Sequence, residues 1–315
     1  MLGPHEWIVG MDLTAHSHGA VRFGRWLQEQ SPHEQRLRGV YVGSTATIER
    51  ELPGPGLPGE RACTMMRAAA ESLGAASAFT AFEAVPSDAP EEELARVAQE
   101  HGADGLVIGR AGAAGEWTLV SLGRVARRLL RHVPRPLVVV PPGLDVAALG
   151  HGPVVIGAAP VDHAIAAIRF GRALAESLDL PVLLVHVIPD PAAYPAMVPV
   201  VGADPAVTLA SAEQASSLVD QARVRMAAEH GLRQWLREHG LDDPPVRAEP
   251  GRKASTLLDV ARGVQASMIV CGSRRLSLVE RVFESSVGTE LAARADRPVV
   301  VVPPQEDAGS PPLEP

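Results

Sequence analysis

Three glycines and an arginine are the residues in this chain whose types and spacing first suggest chemistry: Gly109, Gly112, Gly123 and Arg124. They lie in GRAGAAGEWTLVSLGRVARRLLRHVPRPLVVVPP, from Gly109 to Pro142. This stretch reads as a glycine-bearing turn, a basic helix and a buried strand closed by two prolines. The turn follows the apolar run Leu106-Val107-Ile108. A strand, a glycine turn and a helix start in that order make a candidate phosphate cradle. Glycine lets backbone approach an anion closely, and a helix N-terminus supplies free N–H groups and the positive end of a dipole. The stretch has a counterpart in GSRRLSLVERVFESSVGTELAARADRPVVVVPP, from Gly272 to Pro304, which follows Met268-Ile269-Val270-Cys271.

Other chemistry-bearing residues read more plainly. His16 and His18 in AHSHG have no third or fourth metal ligand nearby in sequence, so they are expected at a helix start on the surface. His186 stands inside an apolar strand, as a satisfied core histidine or a pocket wall. Arg124, Arg127, Arg128 and Arg131 recur at helical spacing, which fits a solvated helix face whose last arginines favour the dipole. Cys63 and Cys271 belong to no CxxC pair or zinc spacing and are expected to be buried small hydrophobes in a reducing cytosol. There is no Walker lysine motif, no GxSxG and no HExxH, so no constellation for catalysis is apparent.

The elements that must position these residues alternate. Residues 7–12 (WIVGMD), 37–42, 79–85, 105–109 and 137–140 read as strands, mostly as continuous apolar runs. Helical spacing marks residues 16–30 and 59–74. A third helix opens at Ser87-Asp88 and Pro90 and ends at Gly102, and a fourth covers 121–132. The Gly- and Pro-rich residues 43–58 read as loop. Continuous apolar strands alternating with helices fit a parallel sheet covered on both faces.

The chain then repeats itself. AVRFGRWLQE (20–29) matches AIRFGRALAE (167–176), and IVG (8–10) matches VIG (155–157), both at an offset of 147. Pro136 matches Pro298 at an offset of 162, so the second copy has gained about fifteen residues. The gain falls in a loop over 188–207, with prolines 189, 191, 195, 199 and 205, and in a helical stretch over 210–239. The loop leaves the carboxyl end of a strand, where ligands of doubly wound sheets bind, so it is read as a lid or a surface insertion.

At these positions the chain resembles the universal stress protein domain, present twice and covering nearly the whole length. The features are IVGMD, the strand ending VHV at 185–187, the run ADGLVIG at 103–109 and the two closing Pro-containing valine strands. The resemblance implies an α/β fold of two tandem Rossmann-like (adenine-nucleotide α-hydrolase-like) domains, each a five-stranded parallel sheet flanked by helices. They would span 1–144 and 153–304, with a linker at 145–152 and a disordered tail at 305–315. Pairing through the last strand would make a pseudo-dimer within one chain. ATP-binding members carry Gly, two residues, Gly, about nine residues, then Gly-Ser or Gly-Thr, together with an aspartate after the first strand and a valine after the second.

The first half matches with Asp12, Val42, Gly109, Gly112 and Gly123, but its spacer is one residue longer and Arg124 stands at the hydroxyl position. The second half keeps Val187, Gly272 and the hydroxyl of Ser286. There Ala159 replaces the aspartate, Arg275 the second glycine and Ser285 the third. The resemblance therefore implies ATP, with Mg²⁺ accompanying it, in half one and a degenerate site in half two. It implies a cytoplasmic stress-response module with protein partners, including a homodimer. The alternatives are a protein-interaction module that binds no nucleotide, and a weak ATP-hydrolysing or nucleotidyl-transferring enzyme using Asp12.

Composition bounds the rest. The net charge of −8 over 315 residues argues against general binding to nucleic acid or acidic membranes. Aromatics make up 3%, so the core must be built from Val, Leu, Ile and Ala. No signal peptide is expected at the N-terminus, and the most apolar window, 182–203, is broken by His186, Asp190 and prolines.

Overall fold

The computed structural model describes residues 5–110, 122–131, 135–189, 218–241, 244–273 and 287–304. Residues 190–207 of the insertion read as a lid or a surface insertion, the tail at 305–315, and Gly112, Arg275, Ser285 and Ser286 lie outside them. In the first half β1 (His5–Gly10), α1 (His18–Gln30), β2 (Gln35–Val42), α2 (Thr45–Glu51), α3 (Pro58–Ser72), β3 (Phe79–Val85), α4 (Pro90–Glu100), β4 (Gly105–Gly109), α5 (Arg124–Arg131) and β5 (Leu137–Val140) follow in order. The second half supplies β6 (Val154–Gly157), α6 (Ile165–Ser177), β7 (Val182–Ile188), α7 (Leu218–Glu238), β8 (Val246–Pro250), α8 (Lys253–Gly263), β9 (Met268–Gly272), α9 (Val287–Arg294) and β10 (Val299–Val302).

All ten strands form one sheet in the order β3-β2-β1-β4-β5-β10-β9-β6-β7-β8. Within each half the five strands are parallel. The halves meet where β5 and β10 pair antiparallel, Val138 opposite Val300 and Leu137 opposite Val301. Both closing strands are fully buried valine-rich runs, so pairing them covers two sheet edges at once.

Two apolar layers sandwich the sheet, and each crosses the seam. One joins α1, α3, α6 and α7 through Phe23, Leu27, Met66, Ile168 and Leu232. The other joins α4, α5, α8 and α9 through Leu94, Leu129, Leu257 and Leu291. Polar ties also cross it: Ser31 Oγ donates to the Ser177 carbonyl at 2.7 Å. The stretch expected as linker is packed, with Leu149 buried and Ser267 Oγ donating to the carbonyls of Leu149 and Gly152.

Part of the segment expected as loop, 43–58, is helix α2. Ser44 caps it by accepting from the Thr47 N–H, and Ile48 buries against the core. The Gly and Pro residues that masked it cluster after its end. Strand β1 closes at Gly10, two residues earlier than expected, which leaves Asp12 in the following turn.

Candidate functional site

The first strand sets the site. After β1 the chain turns through Met11-Asp12-Leu13-Thr14. Asp12 Oδ1 accepts from the Thr14 N–H at 2.9 Å and from the Thr14 hydroxyl at 2.8 Å. Thr14 Oγ1 in turn accepts from the His16 N–H, capping a short 3-10 turn at Ala15–Ser17 that leads into α1. The second oxygen, Oδ2, faces His16 Nδ1 at 4.0 Å on a half-exposed side chain. Leu13 holds the turn at φ 59°, a left-handed conformation that costs a side-chain-bearing residue roughly 1–2 kcal/mol. Within that turn the two bonds from Thr14 fix the direction of the Asp12 carboxylate.

The end of β4 presses against the same turn. A Cβ added at Gly109 would lie 2.3 Å from the His16 carbonyl oxygen. The missing side chain is therefore required for packing β4 on the 3-10 turn, whatever else approaches the glycine. On the far side, the Arg127 N–H donates to the Gly123 carbonyl, the first such bond of α5. The amides of Arg124, Val125 and Ala126 thus precede the intrahelical ladder, and none of them donates to the backbone of another described residue.

These pieces enclose a cleft of about 280 Å³ at the carboxyl ends of β1, β2 and β4. Asp12, Val42, Gly109, Gly123 and Arg124 all line it. Its apolar walls are Met11, Val40, Ile108, Val125 and, from α4, Pro90 and Leu94. Tyr41 and Ser17 complete it. Burial pushes the Tyr41 phenol above its usual range, and the nearby charges of Glu51 and Asp12 add to this. Arg124 is exposed at the rim. Its charge reaches Glu91, where burial raises the carboxyl but the Arg128 hydrogen bond and the charges of Arg128 and Arg124 together hold it below the usual carboxylate value. Arg124, Arg127, Arg128 and Arg131 are all exposed, as expected for a solvated face, with Arg127 also donating to the Leu122 carbonyl and Arg128 pairing with Glu91.

Five sequence-selected residues thus converge. Leu13, Thr14, Ser17, Tyr41 and the α4 wall were not singled out beforehand. A signal existed for the turn, because Asp followed two residues later by Thr favours a side-chain-closed turn.

The second half departs from this geometry at the equivalent turn. Ala159 offers no carboxylate, and Pro160 stands where Leu13 stands in half one. Proline fixes φ near −65°, so the left-handed turn is not available there. Val187 packs on the sheet's α8-bearing face, and Gly272 ends β9. A Cβ at Gly272 would sit 3.3 Å from the His163 carbonyl oxygen, a far looser approach than at Gly109. His186 Nδ1 lies 3.0 Å from the Ala158 carbonyl, as a satisfied histidine. Cys271 is buried and Cys63 partly so. Among the described residues no three His, Cys, Asp or Glu side chains are grouped to hold a metal.

The family model of the universal stress protein family matches this sequence twice, over residues 7–141 and 152–303. The chain belongs to the universal stress protein family. No curated protein matches it. A solved universal stress protein from Archaeoglobus fulgidus DSM 4304 is similar at 14% identity, with 95% of this chain and 98% of that one covered and a TM-score of 0.59. A functionally unknown protein from Pseudomonas aeruginosa PAO1 is similar at 11% identity, with 96% and 93% covered and a TM-score of 0.60. A shorter universal stress protein, solved in complex with cAMP, matches 49% of this chain at 17% identity and a TM-score of 0.32. The two full-length likenesses establish the fold, tandem Rossmann-like units. Among its described residues no helix is long and apolar enough to cross a membrane.

Proposed function

We propose that this chain is a cytoplasmic stress-response module whose first half binds an adenine nucleotide and whose second half does not. The observation that carries the reading is the convergence of Asp12, Val42, Gly109, Gly123 and Arg124 on one cleft at the carboxyl ends of the strands. Its volume is at the small end of ligand sites, which run from roughly 300 Å³ upwards, and suits a nucleoside with its nearest phosphate. The apolar walls suit a base. Asp12 Oδ2 suits a hydroxyl or amine donor. The amides at the start of α5, with Arg124 beside them, suit a phosphate.

The donor set fits a nucleotide and not a dedicated metal site. Asp12 is the sole carboxylate among the described lining residues, and one of its oxygens already serves Thr14. Mg²⁺, which needs six oxygen ligands, would arrive held mainly by phosphates and water. In half two the lost carboxylate and Pro160 remove the same arrangement. The two units are taken as 1–144 and 153–304, joined by 145–152, and the module is read as acting through protein contacts, a homodimer among them.

Calorimetry with AMP, and with ATP in the presence and absence of Mg²⁺, tests the reading. One nucleotide per chain is expected, weakened about tenfold or more by Asp12→Ala, the loss of one hydrogen bond to a charged group. No heat with either nucleotide, and an Asp12→Ala variant indistinguishable from the parent, would move the assignment to an interaction module without a nucleotide. Steady release of phosphate from ATP, abolished in that variant, would move it to an enzyme.

A further inference from the structure

Arg110 follows Gly109 at the floor of the cleft, and its side chain leaves the first half altogether. Its Nη1 donates to the carbonyls of Ala292 at 3.2 Å, Ala293 at 3.0 Å and Ala295 at 2.8 Å, at the C-terminal end of α9. The residue is 8% exposed, and its Nε is buried without a hydrogen-bond partner. Burial lowers the guanidinium pKa while Asp296 acts to raise it. Taking an arginine out of water costs several kcal/mol unless charge-assisted bonds compensate. Here three carbonyls at the negative end of a helix dipole do so.

The tie is one-sided. Ser273 occupies the same backbone position in half two, its N–H donating to the Val302 carbonyl as the Arg110 N–H donates to that of Val140. A serine side chain cannot span the seam. Helix α9 also packs directly on α5, whose first turn lines the cleft. Leu291, Ala292 and Ala295 share one apolar cluster with Leu122 and Ala126. Helix α9 therefore reaches the surroundings of the half-one cleft twice, through Arg110, which follows the lining residue Gly109, and through α5, whose first turn lines it.

We propose that the second half serves as the scaffold of the half-one cleft, with α9 anchoring Arg110 and bracing α5 so that Gly109 and the first amides of α5 keep their spacing. As a statement about nucleotide affinity this rests on the reading above. As a statement about the cleft it stands alone.

Amide hydrogen exchange on the full-length chain tests it, with Arg110→Met, Arg110→Lys and Arg297→Met. Arg297 is the control because it ties the Ala148 carbonyl of the connecting stretch and the Ala266 carbonyl of half two, away from the cleft. Arg110→Met is expected to speed exchange at the end of α9 and also, at least tenfold, at the amide of position 110 and at Arg127. Arg110→Lys, which keeps a charged donor, gives a smaller change. Arg297→Met leaves both cleft amides at the parental rate. AMP affinity measured on the same proteins falls about tenfold in Arg110→Met. Loosening confined to α9, or equal loosening of the cleft by Arg297→Met, would overturn the scaffold role. If the parent binds no AMP while the exchange pattern holds, the nucleotide reading fails and the scaffold role stands.

Discussion

Replacing Gly109 by alanine isolates the contact on which the cleft is built. The added Cβ would lie 2.3 Å from the His16 carbonyl oxygen, 3.1 Å from its carbon and 3.4 Å from Ser17 Cα. Ordinary contacts of this kind begin near 3.4 Å, so the shortfall against the oxygen is about 1.1 Å. The Cβ is fixed by its own backbone and its partner is a backbone carbonyl, so no side chain can rotate away. The 3-10 turn must shift, and it carries the Thr14 bonds that hold Asp12. Overpacking of this severity costs about 1–3 kcal/mol. At about 2–4 °C per kcal/mol for large domains, the midpoint of thermal unfolding should fall by roughly 2–12 °C. Gly272→Ala is the internal control. Its Cβ would meet the His163 oxygen at 3.3 Å, which a small local movement absorbs, so a loss below about 1 kcal/mol is expected. Differential scanning calorimetry of both variants reads the comparison directly. A Gly109→Ala midpoint within a degree of the parent, or a Gly272→Ala variant just as damaged, would refute the close-approach argument.

Leu13→Pro gives half one the residue found at the equivalent position of half two, and proline cannot adopt φ 59°. It should abolish nucleotide binding by calorimetry, at a stability loss of about 1–3 kcal/mol; retained affinity would show that the turn does not aim Asp12. Glu91 titrates below its ordinary value when folded, so its pairing with Arg128 contributes stability above about pH 4.3 and loses it as the pH falls through the lowered folded value. Arg128 is half exposed, which limits the contribution to about 1 kcal/mol. The stability difference between the parent and Glu91→Gln, from urea melts, should be constant from pH 5 to 7 and shrink below that; a difference that grows on acidification would contradict this. The Cys271 thiol is pushed up to about 12 by burial, so a thiol reagent at pH 8 should label the partly exposed Cys63 first and reach Cys271 at the rate of unfolding. Mass spectrometry of timed samples reads the order.

Most strands were legible because they are short apolar runs between breakers, β8 (VRAEP) being the exception, and the family resemblance implied the pairing of β5 with β10, whose runs PLVVVPP and PVVVVPP are apolar enough for it. Helix α2 was hidden by the glycines and prolines that follow it, although Ser44 and Thr47 gave its cap. Asp12 and Gly109 were legible as types in a spacing. Their geometry was not, because Leu13 carries no signal for a left-handed backbone. The contact that requires Gly109 to lack a side chain comes from His16, 93 residues earlier in number. Arg110 was passed over because its partners lie 182 to 185 residues away and are carbonyls, which every residue has. Local chemistry is written in neighbouring residues. Chemistry between distant backbones becomes visible when the sheet closes.

The antiparallel joint between β5 and β10 has a consequence for how such a protein can diverge. Two separate copies of one subunit would meet at a concentration-dependent equilibrium, and every substitution would appear on both sides of the joint. With both copies in one chain, the effective concentration of one for the other is set by the peptide connecting them, in the millimolar range for short connections. The joint then persists at any dilution. Each side is also free to change alone. Leu13 against Pro160, and Arg110 against Ser273, are pairs that a symmetric assembly could not hold.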